Sequence, residues 1–155
     1  MADKTLAMRL LDGKKVTYQV HEYSAEERDA EIVALEIGVP ASQVFKTLVV
    51  TRPLQKPMLV MIPADRQLDL KKLAKAVGEK KVKMAGHSEA ELLTGLQVGG
   101  ISALALTNKG FAVFLDKSAE SFDQIYVSAG RRGLDIQLTV KDLVKITRAR
   151  LVEVT

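Results

Sequence analysis

The sequence predicts an α/β domain of the α+β kind, built on a curved mixed β-sheet flanked by helices. Apolar, β-branched runs of strand length outnumber the segments with helical periodicity, and the two kinds do not alternate regularly. The 155 residues are 47% hydrophobic and 27% charged, a globular composition. No internal repeat, low-complexity tract or linker divides them, so residues 1–155 read as one domain with its own core.

The elements follow in order. Asp3 is placed to cap a helix through about Leu11, with Leu6, Ala7, Leu10 and Leu11 on one face and Gly13 as its stop. Lys15 to Tyr23 alternates Val16, Tyr18 and Val20 with polar residues, the pattern of a strand. A helix over Ala25 to Ile37 presents Ile32, Val33 and Leu35 to Ile37, and Gly38 with Pro40 ends it. Gln43 to Thr51 is a central strand. After the break at Arg52 to Pro57, Met58 to Pro63 is the next strand. Asp69 caps a helix to Val77 that Gly78 terminates.

Lys80 to Met84 is a short strand, and Ser88 with Glu91 forms a capping box for a helix ending near Thr94. Beyond the loop from Gly95 to Ser102, strands are expected at Ala103 to Leu106 and Phe111 to Leu115, separated by an Asn108-Lys109-Gly110 turn. Lys117 to Phe122 is a short helix, and Gln124 to Ser128 and Leu134 to Leu138 are strands around the turn at Ala129 to Gly133. Thr139, with Asp142 in the capping-box position, opens a helix to about Ile146, and Leu151 to Val154 closes the sheet as an edge strand.

Composition bounds the chemistry. The chain has no cysteine, which excludes a disulfide framework, a thiolate metal site and a cysteine nucleophile of its own. The N-terminus lacks the apolar segment of a signal peptide, and no apolar run approaches the roughly 18 residues of a membrane span, so a cytoplasmic protein is the default expectation. A net charge of +4 permits an anionic partner such as RNA without demanding one. The absence of tryptophan and the few aromatics provide no visible platform for stacked bases. His21 and His87 stand in no recognised metal or catalytic spacing and read as structural or exposed.

Lys46 is the residue out of place, an ammonium in the middle of an apolar strand. Alternation puts Lys46, Leu48 and Val50 on one face and Phe45, Thr47 and Val49 on the other. The lysine either lays its stem along apolar surface with its head in water, or projects into a cleft where it offers donors to a carboxylate, phosphate or oxyanion. Gly99-Gly100 is either a tight connection or a place where backbone amides approach an anion. Arg131 and Arg132, between Gly130 and Gly133, could contact a nucleic-acid backbone. Asp135 enters a strand, where an acid is disfavoured, and is expected to face water, a cleft or a cation. The run Lys71, Lys72, Lys75, Lys80, Lys81 and Lys83 reads as a solvated face, with a nucleic-acid surface as the alternative.

Four segments then occur together and in order: Val44 to Leu48, Gln67 to Lys72, Thr94 to Ser102 and Ile125 to Ile136. As a set spanning nearly the whole chain they resemble the YbaK/EbsC family, relatives of the editing domain of bacterial prolyl-tRNA synthetases. The resemblance implies that fold and a trans-editing aminoacyl-tRNA deacylase acting on Cys-tRNA(Pro), and also on Cys-tRNA(Cys). It implies Lys46 as the essential residue and Tyr23, Gly99, Gly100, Ile101, Ser102, Ala103 and Asp135 as substrate-binding positions. The ester would be attacked by the substrate's own thiol or by water.

No metal or organic cofactor is implied. The expected partners are the aminoacyl-tRNA, tRNA(Pro), and a prolyl-tRNA synthetase that supplies tRNA selectivity to a monomer. The family loop Gly-x-x-Pro-x-Gly here reads Gly100-Ile101-Ser102-Ala103-Leu104-Ala105, and a family aromatic before the lysine strand falls near Arg28. The altered loop keeps two other readings in view: a deacylase for alanine or another small residue, and a non-catalytic tRNA- or synthetase-binding module.

Overall fold

A computed structural model describes residues 3–27 and 29–155, and Arg28 therefore lies outside the described residues. The elements are α1 (Leu6–Gly13), β1 (Gln19–Glu22), α2 (Ala30–Ile37), β2 (Phe45–Thr51), β3 (Met58–Pro63), α3 (Leu70–Val77), β4 (Lys83–Met84) and α4 (His87–Thr94). They continue with β5 (Ala112–Asp116), β6 (Gln124–Ser128), β7 (Leu134–Thr139), α5 (Val140–Thr147) and β8 (Arg150–Val152).

The expected mixed sheet is present as two sheets. The larger has five strands in the order β4-β2-β3-β5-β8, with β2 antiparallel to both of its neighbours and β5 parallel to β3 and β8. The smaller, β1-β7-β6, is antiparallel throughout. Between them stands one isolated parallel bridge, Val44 to Tyr126. The pairing goes no further along β2, and this interruption shapes the site.

Alternation along β2 feeds two cores. Phe45 and Val49 join the larger one with Leu59, Met61, Leu115, Ile125, Ile136 and Leu138. Leu48 and Val50 face the other, where Met58, Val60, Ile62 and Phe114 meet Leu73 and Ala74 of α3. Every residue of β3 is buried because both its faces are covered. Full burial of a side chain such as Ile62 or Leu115 contributes about 1.5–3 kcal/mol. The α3 helix forms where the sequence places it: the Asp69 carboxylate accepts from the Lys71 and Lys72 amides, and Gly78 ends it at φ 75°.

Other elements depart from expectation. The α1 cap is Thr5, not Asp3, and this start turns Ala7, Met8 and Leu11 inward while Leu6 stays exposed. As the edge strand of the smaller sheet, β1 begins only at Gln19 and leaves Val20 exposed. The second helix starts at Ala30, capped by Asp29, and buries Val33 and Ala34 while Ile32 and Leu35 face outward. The fourth strand shrinks to Lys83–Met84. The α4 helix has Gly86 at its cap without a side-chain bond, and Glu91 instead accepts from the Val98 amide at 2.8 Å.

The expected strand over Ala103 to Leu106 is a 3-10 turn, Leu104–Leu106, with the Leu106 amide bonded to the Ala103 carbonyl at 3.3 Å. So short an apolar run fits either conformation. Among the described residues no helix is long and apolar enough to cross a membrane.

Candidate functional site

The site is a gap along one edge of β2. On that side β4 pairs only with Val50 and Thr51, and the Ala85 amide caps the Val49 carbonyl at 2.9 Å. At the other end, β6 meets the strand line at Val44 alone. Between these two points lies a cavity of about 190 Å³. Val44 to Val49 form one wall; Met84, Ala85, His87 and Ala90 form the second; Val98, Gly99 and Ile101 come from the loop after α4. Tyr23, Ala30 and Val33 enter from the β1–α2 side, and Ser128 and Asp135 from β6 and β7.

Strand parity decides which backbone groups face the gap. The Val44 carbonyl accepts from Ala64 at 2.7 Å, toward β3, and the Val49 carbonyl accepts from Ala85, away from it. In an antiparallel strand the N–H and C=O of one residue point to the same side, and sides alternate. Thr47, two residues before Val49, therefore turns its N–H and C=O toward the cavity. Its hydroxyl Oγ1 is buried without a hydrogen-bond partner, a rare condition. Lys46 is half-buried beside it, and its Nζ donates to the Ala64 carbonyl at 3.3 Å.

Two titratable groups complete the wall. Asp135 is 4% exposed, stands in register with His21 on β1 and Ser128 on β6, and burial pushes its carboxyl up to about 7. Among the described residues no ion pair joins it to Lys46 or to an arginine. The Tyr23 hydroxyl donates to the Gly99 carbonyl at 3.4 Å, and burial, reinforced by the Asp135 charge, pushes its phenol up to about 12. Tyr23 is therefore a neutral donor across the physiological range.

The glycines serve loop packing. A Cβ on Gly100 would lie 2.8 Å from the Arg132 backbone nitrogen and 3.0 Å from the Arg131 Cα, so this glycine lets two loops touch. The Gly100 amide donates to Gln97 O at 2.7 Å and the Ala105 amide to Ser102 Oγ at 3.3 Å, so these two loop amides already have partners. Arg132 Nε donates to the Val98 carbonyl at 2.6 Å, binding the same loops together, and Arg131 is exposed.

Of the residues expected from sequence, Lys46, Tyr23, Gly99, Ile101 and Asp135 line the cavity. Gly100, Ser102 and Ala103 are buried in the supporting loop, and Arg131 and Arg132 sit on the loop packed against it. Thr47 and Ser128 line the cavity without having been singled out. His87 is exposed, as expected, and stands at the cavity wall, whereas His21 bonds Gln137 at 2.8 Å. Among the described residues no group of three or more histidine, aspartate or glutamate side chains is arranged to hold a metal ion.

Comparison with known proteins gives a consistent result. Residues 24–146 match the family model of the aminoacyl-tRNA editing domain. The chain is 38% identical over 154 residues to an Enterococcus faecalis protein named "Putative Cys-tRNA(Pro)/Cys-tRNA(Cys) deacylase EbsC", covering 98% of this chain and 93% of that one. Among solved structures, hypothetical protein APE2540 superposes with a TM-score of 0.88 at 25% identity, over 97% of this chain and 99% of the other. A structure described as "a putative trans-editing enzyme for prolyl tRNA synthetase" superposes with a TM-score of 0.83 at 23% identity over 99% of each chain, a likeness of fold.

Proposed function

Because the chain belongs to the aminoacyl-tRNA editing domain family, we propose that it releases mischarged cysteine from tRNA(Pro), and from tRNA(Cys), by cleaving the aminoacyl ester. The observation that carries this reading is the convergence of Lys46, the Thr47 edge, Tyr23 and Asp135 on one small cavity. The E. faecalis relative's name supports the choice of substrate. The protein acts in the cytoplasm as a monomer, with a prolyl-tRNA synthetase supplying much of the tRNA selectivity.

Each group has a role that its chemistry suits. The buried Asp135 carboxylate accepts the α-ammonium of the aminoacyl group, because a buried anion gains most from a cation brought to it. The Thr47 N–H and the Lys46 ammonium face the ester carbonyl and stabilise the charge that develops on its oxygen. Tyr23 and Gly99 hold the opposite side, and Ile101 contributes apolar wall. Gly100, Ser102 and Ala103 support this wall from behind. Arg131, exposed beside the loop, contacts a phosphate near the 3′ end, and Arg132 orders the loop.

The nucleophile belongs to the substrate or the solvent. The chain has no cysteine, and the Ser128 hydroxyl accepts from the Gly130 amide at 3.1 Å. Attack by the cysteine thiol or by water forms a C–S or C–O bond at the carbonyl carbon. The bond to the ribose oxygen breaks, and that oxygen takes up the proton that the nucleophile loses. The protein's contribution is positioning and electrostatics. The backbone of the altered loop supports this reading: Ala103 has φ −63°, the value a proline would impose, and Ala105 is not among the residues with positive φ.

The test is release of labelled cysteine from Cys-tRNA(Pro) by the wild type and by Lys46→Ala, with Ala-tRNA(Pro) in parallel and prolyl-tRNA synthetase added. Wild-type release of cysteine, reduced about 10²–10³-fold in the variant, is expected. Preferential release of alanine would move the specificity to that residue. Release of neither amino acid would leave a tRNA- or synthetase-binding module. Recovery of a thiolactone in place of free cysteine would identify the thiol as nucleophile.

A further inference from the structure

Charge is unevenly distributed between two segments of the chain. Residues 66–83 hold seven basic residues against two acidic ones, while the rest of the chain has sixteen basic against seventeen acidic. The excess positive charge of the protein is thus confined to residues 66–83, from just before α3 to the first residue of β4. Residues 22–36, which supply Tyr23, Ala30 and Val33 to the cavity, hold six acidic residues against one basic.

The basic segment is tied to the cavity at both ends. Ala64, shortly before it, accepts the Lys46 Nζ hydrogen bond, and Met84 and Ala85, immediately after it, are cavity wall. Between these ends α3 covers the face of the larger sheet that carries Leu48 and Val50, the face Lys46 shares. Arg66, Lys71, Lys75, Lys80, Lys81 and Lys83 are all exposed. Both acids of the segment have local duties. Asp69 caps α3, and Glu79 accepts from the Gln55 amide at 2.7 Å.

We infer that residues 66–83 form the phosphate-binding surface over which an RNA strand leaves the cavity, with Lys71, Lys75, Lys80, Lys81 and Lys83 as the side chains that meet it. A polyanion whose 3′ end occupies the cavity must cross one of its rims. Residues 22–36, which line the cavity in part, repel it, and residues 66–83, which adjoin the site in the chain at both ends, attract it, by forces that salt screens over roughly 8–10 Å. RNA is favoured over an acidic protein because the residues that flank the segment, Ala64 bonded to Lys46 and Met84 and Ala85 in the cavity wall, belong to the pocket assigned to the ester. The inference deepens the proposed function and rests on it for the tethered end, but RNA binding itself is measured without any ester.

The experiment measures fluorescence anisotropy of an uncharged RNA hairpin with a single-stranded 3′ extension, across a salt series. The wild type is compared with Lys71→Glu/Lys75→Glu/Lys80→Glu/Lys81→Glu and with a control of equal charge change at exposed lysines elsewhere, Lys14→Glu/Lys117→Glu/Lys141→Glu/Lys145→Glu. Native-like circular dichroism is required of both variants. Removing one lysine that neutralises a phosphate should lower the salt slope by about 0.7–0.9, so the first variant should show a slope smaller by about 3 and an affinity weaker by on the order of 10²-fold at low salt. The control should stay within a few-fold of wild type.

Equal losses in the two variants, or no RNA binding by the wild type, would overturn the inference. So would intact RNA binding in the first variant together with loss of synthetase association, which would assign the surface to a protein. If the wild type binds RNA as expected but cleaves no aminoacyl ester, the proposed function fails and the surface stands.

Discussion

Replacing Asp135 by Asn should make the protein more stable, and by an amount that depends on pH. The carboxyl has an ordinary value of 3.8 and is pushed up to about 7 by burial. The folded protein therefore holds a proton on this group, between about pH 4 and pH 7, that the unfolded chain has released. In that window stability falls as pH rises, because unfolding gives up the proton. The favourable contribution of the neutral carboxyl is complete below about 4 and gone above about 7. A difference of roughly three pKa units at about 1.36 kcal/mol each is on the order of 4 kcal/mol. Asparagine has the same shape and no charge to desolvate.

Urea unfolding followed by circular dichroism, at intervals from pH 4 to pH 8.5, should show the two proteins close together at pH 4. They should separate by up to about 4 kcal/mol at pH 8, with Asp135→Asn the more stable. Other titrating groups are common to both proteins and cancel in the difference. A stability difference that is constant across this range would refute the argument. The same variant should lose deacylation, since the amide offers no charge to an ammonium, so stability and activity should move in opposite directions.

Three further substitutions test the architecture around the cavity. Thr47→Val exchanges the unpartnered buried hydroxyl for a methyl group, and should stabilise the free protein by about 1 kcal/mol in thermal melts while lowering kcat/KM for ester cleavage about tenfold. Loss of stability would show that the hydroxyl is satisfied in solution. Gly100→Ala forces a Cβ to 2.8 Å from backbone and should cost about 1–3 kcal/mol, with a raised KM as the 130–133 loop moves; an unchanged melting temperature would refute the close approach. Ala103→Pro, at φ −63°, should be neutral or stabilising by about 0.4–1 kcal/mol and should leave cleavage rates intact. A marked loss of activity there would restore the view that the altered loop matters.

The parts of the fold legible in the sequence were those specified locally. Met58–Pro63 and Gln124–Ser128 are strands at the expected limits, and α3 lies between its Asp69 cap and its Gly78 stop. Thr5 overrode Asp3 because two capping residues stand within one turn and only tertiary packing chooses between them. The division into two sheets was not legible, since it depends on where pairing between β2 and β6 ends, some 80 residues apart in sequence. Lys46 and Asp135 are legible because each breaks the pattern of its own strand. Thr47 is not, because threonine is an ordinary strand residue. Its place at the cavity follows from the side of β2 that is left unpaired. The lysine run was visible in sequence, but its attachment to the cavity at both ends is a property of the fold.

Uncovered strand edges and unpaired buried polar groups are ordinarily selected against. Here the residues of the uncovered edge between Val44 and Val49, Thr47 with its unpartnered hydroxyl among them, line one cavity together with Asp135, whose carboxyl is buried. Each costs stability in the free protein, and scattered through the molecule each would need a separate explanation. Gathered together they have one: a ligand with an ammonium, a carbonyl and a further polar atom would satisfy all three at once. Local rules fail in concert where function requires it. On the proposed function, binding would relieve that cost. A non-cleavable analogue, with an amide in place of the ester, should raise the melting temperature of the wild type. It should raise that of the doubly substituted Thr47→Val/Asp135→Asn protein far less, although that protein starts from the higher value. A shift of equal size in both would mean that these groups do not face the ligand.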